Sequence, residues 1–155
     1  MKTETKADEQ ERELVLQREV PFARELVWLA MTAPEHVNNW WGPDGFRNEN
    51  VTMDFRVGGA WIFDMVGPDG TRHPNHSVFT EITPPACLAY DHGDGTRVWF
   101  ENTVTLEETP RGTLVTIRQL YPSSEARDEV VKKYGAIEDG RQHLAKLEAY
   151  LRHLG

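Results

Sequence analysis

Few side chains in this sequence have the type and spacing that catalysis or metal binding requires. His73, Asn75 and His76 fall close together beside a turn, and Asp91 precedes His92 on a later strand. A zinc site needs three or four convergent ligands, and residues three apart on a strand point to opposite faces. No metal and no cofactor is therefore expected. Cys87 is the single cysteine; it has no base beside it in sequence and no partner for an intrachain disulfide. There is no G-x-S-x-G motif and no phosphate loop, because Gly67-Pro68-Asp69-Gly70 and Gly93-Asp94-Gly95 read as turns. General acid–base work stays open. Tyr90, His92 and Arg141, with Asp64 behind them, carry groups that could act on a polyketide-like or lactone substrate.

Two amides point the same way. Asn102 and Gln119 lie on strand positions whose neighbours two residues away are apolar. A buried amide left unpaired costs roughly 1–3 kcal/mol. Either the two bond each other, the backbone or a trapped water, or they line a ligand cavity.

The elements that must position these groups are legible from periodicity. Ser124 to Leu154 reads as one long amphipathic helix, with Ala126, Val130, Tyr134, Ile137, Leu144, Leu147, Leu151 and Leu154 on one face. Arg141 bisects the gap between Ile137 and Leu144 and stands at an apolar position, either snorkelling to water or entering a cavity. Gly135 and Gly140 each cost about 1 kcal/mol inside a helix; they mark a kink or break, or a close approach to whatever lies beneath. Before this helix come a strand at Leu14–Val20, short helices at Phe22–Met31 and Pro34–Asn38, and six strands. Those strands are Asn50–Phe55, Ala60–Val66, Asn75–Ile82, Cys87–His92, Val98–Leu106 and Thr113–Tyr121. Phe22, Leu26 and Leu29 share one side of the first short helix. Short turns imply antiparallel pairing. The expected fold is α+β, a curved antiparallel sheet of about seven strands around the terminal helix, with two short helices after the first strand.

Alternation places Trp61, Phe63 and Met65 on one face of their strand, with Leu88, Tyr90, Phe100, Asn102, Ile117 and Gln119 on the matching faces of theirs. Trp40 and Trp41 close a cavity mouth or belong to the core. Together with Tyr134 and Arg141 these form the candidate ligand-binding set. Asp54 and Arg56 are expected to pair at the surface or to hold the Trp40-Trp41 loop.

Composition narrows the function classes. The net charge is −8, without a basic cluster, which argues against nucleic acid and anionic membranes. No apolar run reaches the roughly 18–20 residues that span a bilayer. The first residues, MKTETKADEQERE, lack the apolar core of a signal peptide and read as a disordered tail over residues 1–13, so residues 14–155 form one domain. A soluble cytoplasmic protein is expected.

Several stretches together resemble a known family: VPFARELVWLAMTAPEHVNNWWGP (Val20–Pro43), VTMDFRVGGAWIFDMVGPDG (Val51–Gly70), HPNHSVFTEITPPACLAY (His73–Tyr90), ENTVTLEE with GTLVTI (within Glu101–Ile117), and GRQHLAKLEAYL (Gly140–Leu151). They look like the activator of heat-shock-protein-90 ATPase homologue-like family, of the START-like or SRPBCC superfamily. The resemblance implies the helix-grip fold of the birch-pollen allergen and a deep hydrophobic cavity between sheet and final helix. It does not imply one activity, because the superfamily hosts carriers, cyclases, hydrolases and chaperone cofactors. The eukaryotic chaperone activator carries an additional N-terminal domain, so direct stimulation of that chaperone is not expected here. The reading that follows is non-catalytic binding of a small hydrophobic or aromatic molecule. The alternatives are a cyclase- or hydrolase-type enzyme, and a protein-interaction module or homodimer with an apolar patch around Trp28, Trp40 or Trp99.

Overall fold

Alternating apolar and polar residues make each strand a two-faced ribbon, and the apolar face must be covered. In the computed structural model, which describes residues 6–42, 44–133 and 135–154, the ribbons form one seven-stranded sheet. Its strands are β1 (Glu13–Val20), β2 (Arg47–Met53), β3 (Ala60–Val66), β4 (Arg72–Thr83), β5 (Cys87–Gly93), β6 (Val98–Thr109) and β7 (Gly112–Leu120). Every neighbouring pair is antiparallel, in the order β1-β7-β6-β5-β4-β3-β2. β2 to β7 form a meander of successive neighbours, as short turns require. β1 instead pairs with the last strand, from Glu13 opposite Leu120 to Val20 opposite Thr113.

The helices among the described residues are α1 (Lys6–Arg12), α2 (Arg24–Thr32), α3 (Pro34–Trp40), α4 (Ser124–Lys133) and α5 (Ala136–Leu154). Pro34 opens α3 at its first turn, where a missing N–H costs nothing. The buried side of α2 carries Val27, Ala30 and Met31, while Leu29 is exposed. The face expected through Phe22, Leu26 and Leu29 is thus rotated, because α2 starts at Arg24 and packs on α3 and α5 as well as on the sheet.

The single terminal helix is two. Gly135 adopts φ +63, a left-handed conformation that ends α4, and α5 restarts at Ala136. The buried stripe of α5 is narrower than the expected apolar face. Leu144, Leu147 and Leu151 are buried, with Gly140 one turn before Leu144, while Ile137 is exposed. Tyr134 lies outside the described residues.

The tail expected to be disordered contains α1, followed directly by β1. Arg12 ties this segment down: its guanidinium donates to the Tyr121 carbonyl at 2.7 Å, and its own carbonyl accepts from the Tyr121 N–H at 2.9 Å.

The core lies between the inner sheet face and α5, closed at one end by α2 and α3. Trp61, Phe63, Phe79, Leu88, Val104, Leu106, Val115 and Ile117 meet Val27, Val37, Trp40, Leu144, Leu147 and Leu151 there. Arg18, on the same face of β1, reaches α5 and pairs with Glu148 at 3.0 Å. The sheet grips the helix, as expected. No helix among the described residues is long and apolar enough to cross a membrane.

Candidate cavity between sheet and terminal helix

Strand register lines up the inward side chains in rows across the sheet. One row runs Trp61, Ser77, His92, Phe100, from β3 to β6. The next runs Phe79, Tyr90, Asn102, Gln119, from β4 to β7. Beyond them Ile117 stands opposite Leu16 of β1. Over these rows lies the first part of α5, and the chain between α3 and β2 closes a third side.

A cavity of about 210 Å³ remains between them. The sheet contributes Leu16, Met65, Tyr90, His92, Phe100, Asn102, Ile117 and Gln119; the α3–β2 loop contributes Trp41 and Gly42; α5 contributes Ala136, Asp139, Gly140 and His143. The lining is mainly apolar. Asp139, exposed, marks the side that faces solvent.

Gly140 explains why α5 can come so near. A Cβ built there would stand 2.2 Å from Cδ1 of Leu16 and 2.9 Å from its Cδ2. Only glycine accepts that approach without Leu16 moving. The close-approach reading of this glycine holds, and the break belongs to Gly135.

The polar groups in the wall are held by named partners. The Gly42 N–H donates to His143 Nδ1 at 3.1 Å. An N–H cannot accept, so Nδ1 is unprotonated and the neutral ring carries its proton on Nε2. The His143 ring also packs against Trp41, with centroids 4.4 Å apart, and against Trp40 at 4.9 Å. Burial pushes its pKa down to about 3. His143 is half-buried, whereas His92 is buried, with Nδ1 2.7 Å from Ser77 Oγ, and burial lowers its pKa to about 4. Burial raises the Tyr90 phenol well above its ordinary value. The Tyr121 hydroxyl donates to Gln119 Oε1 at 2.8 Å. Asn102 is different. It is 3% exposed, and its amide nitrogen has no hydrogen-bond partner among the described residues. Cross-strand neighbours Tyr90 and Gln119 flank it without satisfying it, so the two amides do not bond each other.

Of the residues expected at a ligand site, Trp41, Met65, Tyr90, Phe100, Asn102, Ile117 and Gln119 line the cavity. Trp40, Trp61, Phe63 and Leu88 face inward but are core rather than lining, and the Trp40 indole N–H donates to the Ala30 carbonyl at 2.9 Å. Arg141 is corrected: its side chain is 73% exposed and lies 3.8 Å from Glu138, on the solvent side of α5. The buried line of α5 runs through Gly140, Leu144, Leu147 and Leu151, and Arg141 stands ~100° around the helix from Gly140. Leu16, Gly42, Ala136, Asp139, Gly140 and His143 enter the lining without having been singled out as ligand contacts. His143 was signalled, since it sits three residues after Gly140 and four before Leu147 on the apolar stripe.

The remaining candidates sit elsewhere. Asp64 accepts from the Asn50 amide at 2.9 Å and lies 3.6 Å from Arg72, outside the cavity. His73 borders a separate groove of about 770 Å³ between the β5–β6 turn and α4, which shares Phe100 with the inner cavity. No cluster of three metal-ligating side chains occurs among the described residues. Asp54 and Arg56 pair at the surface at 2.8 Å, in the loop after β2. Trp40 is buried, and Trp28 and Trp99 are half-buried.

Nothing among curated proteins matches this chain. Solved structures do. A protein from Nitrosomonas europaea is 26% identical, with a TM-score of 0.85 over 92% of this chain and 96% of that one. One from Mycobacterium smegmatis is 25% identical, with a TM-score of 0.85 over 99% of each chain. An AHSA1-like protein from Aeromonas hydrophila, 21% identical and covering 92% of this chain and 94% of its own, shares the fold with a TM-score of 0.72. The profile of one family, Activator of Hsp90 ATPase homolog 1-like protein, matches residues 21–152, and it is to that START-like family that this chain belongs.

Proposed function

We propose that this protein binds a small, mainly apolar molecule in the cavity between the sheet and α5, without transforming it. The family fold commonly binds ligands or partners, and one observation carries the finer reading. Asn102 holds an amide whose NH₂ has no partner among the described residues, in a buried position on an otherwise mostly apolar wall. Such a group costs roughly 1–3 kcal/mol. A guest that lets the amide turn and form a hydrogen bond offsets part of that cost. The volume of about 210 Å³ is below the ~300–1,000 Å³ of drug-sized pockets. It suits one or two rings rather than a long acyl chain.

The test is a titration of the full chain with naphthalene-sized aromatic compounds, followed by amide and side-chain NMR shifts. Shifts at Asn102, Trp41 and His143 support the reading. Shifts confined to the surface, or none up to the solubility limit, end it.

A catalytic reading has one observation in its favour, the convergence of His92, His143 and Tyr90 on one cavity. It requires His143 to donate from Nε2 or His92 to act as a base, and burial makes both weak bases. Ser77 is 0% exposed, which leaves it as the residue that orients His92 rather than a nucleophile. Incubation with aromatic esters and lactones separates the two readings: turnover lost on His92→Gln favours catalysis, and no turnover favours binding alone.

A further inference from the structure

We propose that Phe100 sets the length limit of the guest: its ring is the wall that keeps a molecule in the inner cavity from running on into the groove beside α4. The proposal rests on the binding reading above and names the residue that fixes the size of what is bound.

β7 stops at Leu120, opposite Glu101, so the strand row that contains Phe100 has no β7 residue to continue it. The Phe100 ring meets Tyr121 instead, with centroids 5.1 Å apart, and meets His92 at 5.1 Å as well. Phe100 is half-buried. Among the described residues it alone belongs to both linings, that of the inner cavity of about 210 Å³ and that of the groove of about 770 Å³. The partition is therefore one aromatic ring thick at this point. Its neighbours straddle the same boundary. Gln119 lines the cavity and Tyr121 the groove, and the Tyr121 hydroxyl donates to Gln119 Oε1 across it at 2.8 Å. Met65 lines the cavity, and its cross-strand partner His73 lines the groove.

Size makes the partition matter. The cavity alone is smaller than the ~300–1,000 Å³ of pockets for drug-sized molecules, whereas cavity and groove joined fall near the top of that range. Beyond the ring, Val98, Trp99, Pro122, Ala126 and Val130 offer apolar surface to a hydrocarbon tail. Truncating an ordinary core side chain leaves a closed void, but truncating Phe100 opens one space into the other. Ile117 supplies the contrast. It lines the same cavity, yet it is 3% exposed, belongs to the packed core and does not border the groove.

The experiment compares naphthalene with 2-hexylnaphthalene, which adds a tail to the same ring system. Each is titrated into the natural full chain, into Phe100→Val, which keeps a strand-forming residue, and into Ile117→Ala as the control. Phe100→Leu runs beside them with the same expectation, so that the test stands if the valine variant melts early. Affinity and the methyl resonances of Ala126 and Val130 are read together. In the natural chain the hexyl compound should gain nothing over naphthalene. In the Phe100 variants it should bind about tenfold or more tighter than naphthalene and move the Ala126 and Val130 methyls. In Ile117→Ala those methyls should stay where they are. The same gain in the natural chain, the same groove shifts in Ile117→Ala, or no gain in either Phe100 variant overturns the partition while the binding reading survives. Naphthalene binding to none of the proteins overturns both.

Discussion

Replacing Asn102 by leucine tests the cavity most directly. The residue is buried, and its NH₂ has no partner among the described residues. If nothing in the apo protein depends on that amide, Asn102→Leu removes an uncompensated desolvation cost of roughly 1–3 kcal/mol. The leucine is of similar size and has apolar neighbours in Ile117 and Leu16, both in the same lining. The variant should therefore be more stable than the natural chain, at about 2–4 °C of melting temperature per kcal/mol for a chain of this length. It should also lose affinity for an aromatic guest that hydrogen-bonds the amide. Stability is read by urea unfolding, with the slope checked for constancy, and affinity by the titration described above. Asn102→Asp is the companion. In this uncharged interior the new carboxyl's pKa is raised above its unfolded value, so the variant is weakest at neutral pH and regains stability as the pH falls through that raised pKa. A leucine variant destabilised by 1 kcal/mol or more would refute the reasoning, because it would assign the amide a structural partner.

Three other perturbations follow from the same geometry. Burial holds His92 near pKa 4 and His143 near 3, below the ordinary 6.5. The unfolded chain therefore takes up protons first, and stability is full above about pH 6.5 and falls with acid down to those values. For His92 alone the loss is roughly 2 kcal/mol by about pH 5, so urea midpoints that stay flat between neutral pH and pH 5 would count against both burials. Gly140→Ala should lower stability by about 1 kcal/mol despite alanine's better helix propensity, since its Cβ meets Leu16; pairing it with Leu16→Ala should recover part of the loss in a double-mutant cycle. Trp40→Phe should cost about 1–3 kcal/mol through the orphaned Ala30 carbonyl and leave guest affinity alone, whereas Trp41→Ala should weaken guest binding; the opposite pattern would exchange their roles.

Strand parity made the fold and half of the lining legible. Tyr90, Phe100, Asn102, Ile117 and Gln119 alternate inward on strands whose turns are marked by glycine and proline, and the register keeps them together. Parity tells face but not height along the grip. For that reason Trp61, Phe63 and Leu88 share the face yet fall in solid core. Trp40 and Trp41 are adjacent and chemically alike; only the end of α3 sends one into the core and the other to the wall. Arg141 was misplaced because Ile137, one end of the gap it bisects, is itself exposed. The buried line of α5 runs through Gly140, Leu144, Leu147 and Leu151, and Arg141 lies ~100° around the helix from Gly140, beside Glu138.

The position of β1 carries a consequence for how the molecule assembles. Among the described residues its one sheet neighbour is β7, and its cross-strand partners, such as Thr116 for Gln17, lie about a hundred residues downstream. The same strand supplies Leu16 beneath Gly140 and Arg18 to Glu148. Loop-closure entropy opposes contacts of such long sequence separation until the intervening chain is organised. The meander from β2 to β7 can zip locally, but the wall containing Leu16 exists only once the two ends of the chain have met, which makes the pocket a product of the last docking step and the first region lost when that seam opens.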